Sequence, residues 1–283
     1  MIEPEQEIRG AGDGYPIHQT RWPASGPIRG SLVILHGVQS HAGWYSNLGR
    51  TLAGRGYETT LPDRRGSGRN TTDRGHAPSA RRLLDDVAET VGTLRARDPA
   101  TPIALAGISW GGKLAAITAA RRPGLVDALA LICPGLHPRV DVGRGERLRI
   151  ALAYLTDRKK HFPIPLLDPS LFTDSVEGRA FIAGDPLAVR TATASLLAAS
   201  LFIDLRVRAV RRRLRCPALL MLGGRDRIVD NTKTREYFQG IGSTDRRVIE
   251  YPEGHHTLEF DPDPSRYALD LADWLDVTLS TGR

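Results

Sequence analysis

The chain has 283 residues, 41% hydrophobic and 25% charged, which suits one large domain or a domain carrying an insertion. Its start, Met1-Ile2-Glu3-Pro4-Glu5, is acidic and lacks the apolar segment of a secretory signal, and no apolar run approaches the roughly 18 residues that span a bilayer, so a cytoplasmic protein without stable membrane insertion is expected. The formal charge of +7 is mostly scattered arginine, and its one dense run, Arg206-Val207-Arg208-Ala209-Val210-Arg211-Arg212-Arg213-Leu214-Arg215, has no interleaved aromatics; it reads as a solvated helix entering the next strand, with no nucleic-acid partner.

Residues 5–22 alternate weakly around Gly10-Ala11-Gly12-Asp13-Gly14, which predicts a β-hairpin ahead of the main fold. Ser31-Leu32-Val33-Ile34-Leu35-His36 predicts a buried strand, followed by a loop, a helix ending near Arg55 and a strand from Tyr57 to Leu61. A Gly- and Arg-rich loop from Pro62 to Pro78 leads into an amphipathic helix, about Ser79 to Arg97, with Leu83, Leu84, Val87, Val91 and Leu94 on one face. Ile103-Ala104-Leu105-Ala106-Gly107 is the next strand, Trp110 to Ala120 a small-residue helix, and Ala128 to Cys133 a further strand. Strand alternating with helix predicts an α/β fold with a mostly parallel central sheet and helices on both faces.

That rhythm breaks after Pro134. From Leu136 to about Arg206 the chain carries helical patterns, at Arg147 to Leu155 and Pro186 to Leu201, with proline-rich loops and no convincing strand. It resumes with a strand over Pro217 to Gly224, a helix near Thr232 to Gln239, a strand over Arg247 to Tyr251 and a last helix from Pro264 to Leu279. The expected division is residues 1–135 as the first part of the core, 136–208 as a helical insertion capping the carboxyl edge of the sheet, and 209–283 as the second part. The insertion contributes Leu148, Ile150, Leu152, Leu155, Phe162, Ile164, Leu167 and Phe172, among others, and many of these are expected to pack over the sheet edge or line a cavity there. Cys133 ends one strand and Cys216 precedes another, which puts the thiols near opposite edges of a parallel sheet, beyond disulfide reach; free thiols in a reducing compartment are expected.

Gly107-Ile108-Ser109-Trp110-Gly111 fits the GxSxG nucleophile elbow, in its required setting of strand before and helix after. A strand turning straight into a helix strains the serine backbone, and side chains two residues to either side would collide; glycine at both flanks removes the collision. A serine hydroxyl is a weak nucleophile and needs a base, and the base needs an orienting carboxylate, in the chain order Ser, acid, His. Asp226 follows Gly223-Gly224-Arg225 at the carboxyl end of a strand, whereas Asp230 suits a helix cap. His255 and His256 both follow the last strand and compete for the role of base.

The chain resembles an α/β-hydrolase of the monoacylglycerol lipase and lysophospholipase branch, from about Val33 to the C-terminus. His36-Gly37-Val38-Gln39-Ser40-His41-Ala42-Gly43-Trp44-Tyr45 is similar to the branch's His-Gly-x-x-Glu-His-Ser-x-Arg-Tyr, and Asp63-Arg64-Arg65-Gly66-Ser67-Gly68 to its Asp-x-x-Gly-x-Gly loop. Gly223-Gly224-Arg225-Asp226-Arg227-Ile228-Val229 and Tyr251-Pro252-Glu253-Gly254-His255-His256-Thr257-Leu258 match its two later motifs. The resemblance implies Ser109, Asp226 and His256 as catalytic residues, and the backbone amides of Val38 and Trp110 as the oxyanion hole. It implies a pocket-entrance position for His41, for which a packed loop histidine is the alternative; Trp44 and Trp110 read equally as acyl-pocket wall or core. His36 reads as a residue holding the loop. The branch's Glu and Arg in the first motif are here Ser40 and Trp44, which removes a charged pair beside the pocket.

These residues predict a serine hydrolase acting on a small-molecule ester of an apolar acid through an acyl-enzyme. Acyl transfer, amide or peptide cleavage and carbon–carbon hydrolysis use the same triad, and a non-catalytic binding protein of this fold would lack part of it. No cofactor or metal is implied, because the histidines do not cluster and the cysteines are singletons.

Overall fold

The computed structural model describes residues 2–280. Its main sheet has eight strands: β1 (Glu5–Gly10), β2 (Pro16–Trp22), β3 (Gly30–Leu35), β4 (Tyr57–Pro62), β5 (Ile103–Ile108), β6 (Ala128–Ile132), β9 (Ala218–Gly223) and β10 (Arg246–Tyr251). They lie in the order β1-β2-β4-β3-β5-β6-β9-β10, with β1 and β2 antiparallel to their neighbours and the rest parallel. The expected hairpin is thus the sheet's edge, turning at Gly14 with φ +82°.

Every residue of β3, β4, β5, β6 and β9 is buried, the pattern of strands covered on both faces. Successive side chains alternate between two cores. Leu105, Leu129 and Leu220 meet α2 (Ala80–Arg97), α3 (Trp110–Arg121) and α6 (Ala194–Val210) in one layer. Ala104, Ala130 and Leu219 meet α1 (Ser46–Gly54) and α8 (Pro264–Ser280) in the other. Helix α7 (Asn231–Gln239) adds Tyr237 and Phe238 to the first layer, and Asp230 caps it by accepting the Lys233 amide. Cys133 and Cys216 are free, at the carboxyl and amino ends of the adjacent strands β6 and β9.

Between β6 and β9 the chain forms α4 (Arg144–Thr156), α5 (Val176–Gly184) and α6, together with a two-stranded antiparallel sheet of β7 (His161–Pro163) and β8 (Thr191–Thr193). The sequence predicted no strand here; three-residue strands are too short to show alternation. The helix expected over Pro186 to Leu201 instead starts after Thr193, whose hydroxyl caps it by accepting the Leu196 amide, and runs on to Val210. It therefore passes through the border expected at 208, and it packs on α3 through Ser200, which accepts from the Trp110 indole, and Asp204, which pairs with Lys113. Ile150, Phe162, Ile164 and Phe172 are buried as expected, but Leu148, Leu152 and Leu155 form an exposed stripe on the outer face of α4.

The elbow sits between β5 and α3. Ser109 has φ +52° and ψ −121°, and its backbone is tied by Ser109 N–H to Ile132 O and by Gly112 and Gly135 N–H to Ser109 O. A Cβ at Gly107 would stand 2.5 Å from Gly112 Cα, and one at Gly111 only 2.3 Å from Leu35 O. Both glycines are therefore steric requirements of the turn.

Gly111→Ala is expected to cost at least about 2 kcal/mol, because backbone must move. Gly92→Ala on α2, where a Cβ meets nothing within 4 Å, is expected to gain about 0.5–1 kcal/mol. Urea unfolding of the two variants measures both; equal effects would contradict the steric account.

A second test concerns α1, whose first turn donates the Asn47 and Leu48 amides to the buried Glu259 carboxylate, with Tyr267 donating from the other side. Burial pushes Glu259 up to about 7 despite these hydrogen bonds. A carboxyl with a raised native pKa binds its proton more tightly when folded. Its contribution is full below the unfolded value, about 4.3, and is lost as pH rises through about 7. Relative to wild type, Glu259→Gln should gain stability between pH 4 and 8, by on the order of 2 kcal/mol. Parallel stability curves for the two proteins would refute this.

Candidate active site

The loops after β9 and β10 carry the expected acid and base, and glycine lets them pack back to back. A Cβ at Gly223 would lie 2.2 Å from His255 O and one at Gly224 2.4 Å from Pro252 O. Gly224 N–H bonds Tyr251 O at 2.7 Å and Arg225 N–H bonds Gly254 O at 2.8 Å. These ties place Asp226 beside His256. Asp226 Oδ1 accepts the amides of Ile228 at 2.7 Å and Val229 at 2.9 Å, which fixes the carboxylate. Its Oδ2 lies 2.8 Å from His256 Nδ1, and His256 Nε2 lies 2.8 Å from Ser109 Oγ. Asp226 and His256 are buried while Ser109 is half-buried.

The arrangement can move a proton from the serine hydroxyl to the imidazole while the carboxylate holds the ring and balances its charge. Gly37 abuts the serine: a Cβ there would stand 3.4 Å from Ser109 Cβ and 3.7 Å from its Oγ. Val38 follows directly, and Trp110 supplies the first amide of α3, where the helix offers no acceptor. Val38 thus follows the residue that abuts the serine, and Trp110 follows the serine itself. Among the described residues no group of three or more His, Cys, Asp and Glu is placed to hold a metal.

The neighbouring histidines do different work. His255 bridges two carboxylates, with Nδ1 3.0 Å from Asp261 Oδ1 and Nε2 2.9 Å from Asp174 Oδ2 of the inserted segment. Burial raises Asp261 above the usual carboxylate range even against its bonds to His255. Asp174 is lowered instead, by its hydrogen bonds to Arg227 and His255. His36 accepts the Arg64 amide on Nε2 at 2.8 Å and donates from Nδ1 to Gly37 O at 2.7 Å; burial holds it well below the ordinary imidazole range, so it is neutral.

His41 and Trp44 converge on one carboxylate that the sequence did not single out. The Trp44 indole N–H donates to Asp185 Oδ2 at 2.6 Å, and His41 Nε2 lies 3.0 Å from the same oxygen while its Nδ1 accepts the Gly43 amide. Trp44 is buried against Phe172, Phe181 and Phe260, with ring centroids 5.9, 6.1 and 5.6 Å away. Phe172 in turn meets the His256 ring edge-on at 6.1 Å. None of Phe172, Asp174 or Asp185 stands in a motif; each comes from the inserted segment, between the two helical patterns that the sequence shows there.

The family described as "Serine aminopeptidase, S33" matches residues 26–263. The chain is 25% identical over 274 residues to the monoacylglycerol lipase of Mycolicibacterium smegmatis, covering 96% of each. It is 25% identical over 247 residues to the monoglyceride lipase of Homo sapiens, covering 87% of this chain and 81% of that one. A soluble variant of monoglyceride lipase from Saccharomyces cerevisiae superposes with a TM-score of 0.86 at 19% identity, over 98% of this chain and 96% of that one. The chain belongs to the serine aminopeptidase S33 family of α/β-hydrolases, in its monoacylglycerol lipase-like branch, and is a serine hydrolase of the lipase and esterase type.

Proposed function

We propose that Ser109, His256 and Asp226 are the catalytic triad and that the protein hydrolyses carboxylic esters of small to medium apolar acids through an acyl-enzyme. The observation that carries this reading is the unbroken chain of two 2.8 Å contacts from Ser109 Oγ through His256 to Asp226. Ser109 attacks the ester carbonyl as His256 takes its proton; the amides of Val38 and Trp110 receive the developing oxyanion. His256 then returns the proton to the departing alcohol, and a water activated by the same imidazole cleaves the acyl-enzyme.

The acyl preference rests on Phe172, which meets the His256 ring, and on Trp44, which packs Phe172 together with Phe181 and Phe260. Each methylene buried there adds about 0.8 kcal/mol to binding. Monoacylglycerols belong to this ester class, and relatives named for them support a lipid ester as substrate. Headgroup selectivity is another matter. Where the branch has a charged pair this chain has Ser40, whose hydroxyl is 3.1 Å from Tyr45 Oη, and Trp44, whose indole N–H is taken by Asp185. Neither offers glycerol a charge, so little preference for glycerol over other alcohols follows. Residues 136–208 serve as a cap, since Phe172 and Asp185 reach the site from there. Two free thiols support a reducing, cytoplasmic setting, and no helix among the described residues is long and apolar enough to cross a membrane.

A fluorophosphonate probe should label one peptide, that of Ser109, and Ser109→Ala should abolish labelling; labelling elsewhere on folded protein would overturn the enzyme reading. Asp226→Asn and His256→Ala should each lower kcat on the order of 10⁴-fold. Asp230→Asn keeps an oxygen that can accept the Lys233 amide and should leave both kcat and stability near wild type. His255→Ala should leave kcat far closer to wild type, and a dead His255 variant beside a live His256 variant would exchange their roles. On p-nitrophenyl esters kcat/KM should rise from acetyl to octanoyl, and a glycerol ester should match a methyl ester of the same acid. A flat or falling series sinks the acyl reading alone.

A further inference from the structure

Arg64 occupies a variable position of the Asp-x-x-Gly-x-Gly loop, yet it touches both residues assigned above to the oxyanion hole. Its Nη2 donates to Val38 O at 3.0 Å and its Nη1 to Gly37 O at 3.4 Å. Its Cζ lies over the Trp110 ring, 5.1 Å from the centroid. Its own amide holds His36 Nε2, and His36 holds Gly37 O from the other nitrogen. Among the described residues Arg64 makes no ion pair, unlike Arg65 beside it, which is bound to Asp13 and Asp86. The adjacent carboxylate, Asp63, accepts the amides of Ala42 and Arg69 instead. Burial pulls the Arg64 guanidinium down to about 10, so it is charged at neutral pH. A cation placed this way is committed to backbone carbonyls, although an acid would satisfy it better.

We propose that Arg64 is the positioning residue of the oxyanion hole, fixing the peptide planes on either side of Val38 and clamping them to Trp110. The inference rests on the reading of Val38 and Trp110 given above. In a trans peptide the N–H points opposite to the C=O. Arg64 and His36 hold the Gly37 carbonyl from one side, so the Val38 amide of the same peptide faces the other way. A Cβ on Gly37 would stand 3.4 Å from Ser109 Cβ, so this peptide lies close to the serine, and in the proposed arrangement the Val38 amide is aimed at it. Without the clamp the Gly37–Val38 peptide is free to rotate, and a rotated donor meets neither the right direction nor the right distance for an oxyanion. The cation also polarises the peptide it holds, which strengthens the N–H as a donor.

The test compares wild type, Arg64→Met and Arg64→Lys on p-nitrophenyl butyrate, with kcat normalised to sites titrated by fluorophosphonate. Arg64→Met should lower kcat about 10- to 100-fold, somewhat less than outright loss of a donor, with KM within about two-fold. The inhibition constant of a trifluoromethyl ketone, which forms a tetrahedral adduct, should rise by the same factor as kcat/KM falls. Arg64→Lys keeps the charge and one donor and should recover part of the loss. A fall in melting temperature with normalised kcat and ketone affinity unchanged would make Arg64 structural only and overturn the proposal. A raised KM at constant kcat would overturn it too, by making Arg64 a substrate contact. If Arg64→Met does not fold, the Lys variant decides: wild-type kcat and ketone affinity there reject the clamp. Wild type that hydrolyses no ester and takes no probe at Ser109 would instead reject the reading of the site, and this proposal with it.

Discussion

A strand can become a helix within two residues only if the turning residue accepts a backbone conformation that ordinary side chains avoid. Ser109 does so at φ +52°. What holds it there is the fold around it. The serine amide is bound by Ile132 of the neighbouring strand, its carbonyl by Gly112 and Gly135, and the bare α-carbons of Gly107 and Gly111 let β5, α3 and the end of β3 come together. Because the strain is carried by the sheet, the hydroxyl needs no flexible loop to present it. Its partners arrive by the same logic, on loops from the carboxyl ends of β9 and β10 that glycine allows to touch.

This dependence on backbone crowding explains what could be read from the residues. A glycine demanded by a 2.3 Å approach leaves a mark in sequence, and so do the apolar runs of strands buried on both faces; the elbow and the parallel core were legible for that reason, as was the place of Asp226 on a strand-end loop. Asp230 could be set aside because the residues around it read as a helix start, and it does accept the Lys233 amide. His255 and His256 were separated only by resemblance. Nothing in two adjacent histidines says which one bridges Asp174 and Asp261 and which one meets Ser109.

The inserted segment was far less legible. Its β7 and β8 are too short for alternation, and the helical pattern from Pro186 masked a start signal at Thr193 that was present in the residues. Apolar content gave no direction either: Ile150 and Phe162 turn inward while Leu148 and Leu152 face outward from the same stretch. Side chains that act across segments, such as Asp185 with Trp44, lie 141 residues apart and have no local signature at all.

The loop from His36 to Tyr45 is where these scales meet. Below it, Arg64 and His36 grip the Gly37 and Val38 carbonyls. At its far end Asp63 accepts the Ala42 amide. From above, Val189 N–H bonds Gln39 O, and Asp185 takes both His41 and Trp44. Burial works to raise Asp185, but the hydrogen bonds from Trp44, the Leu187 amide and His41 outweigh it and hold the carboxyl below its usual range. A carboxylate with a depressed native pKa stabilises the fold at neutral pH and loses that effect as pH falls through the native value. The upper grip is thus electrostatic and acid-sensitive, whereas the lower one uses an arginine whose charge persists across that range. A backbone held from both sides in this way is suited to keeping an amide aimed at a fixed point, because moving it requires releasing the core and the inserted segment together.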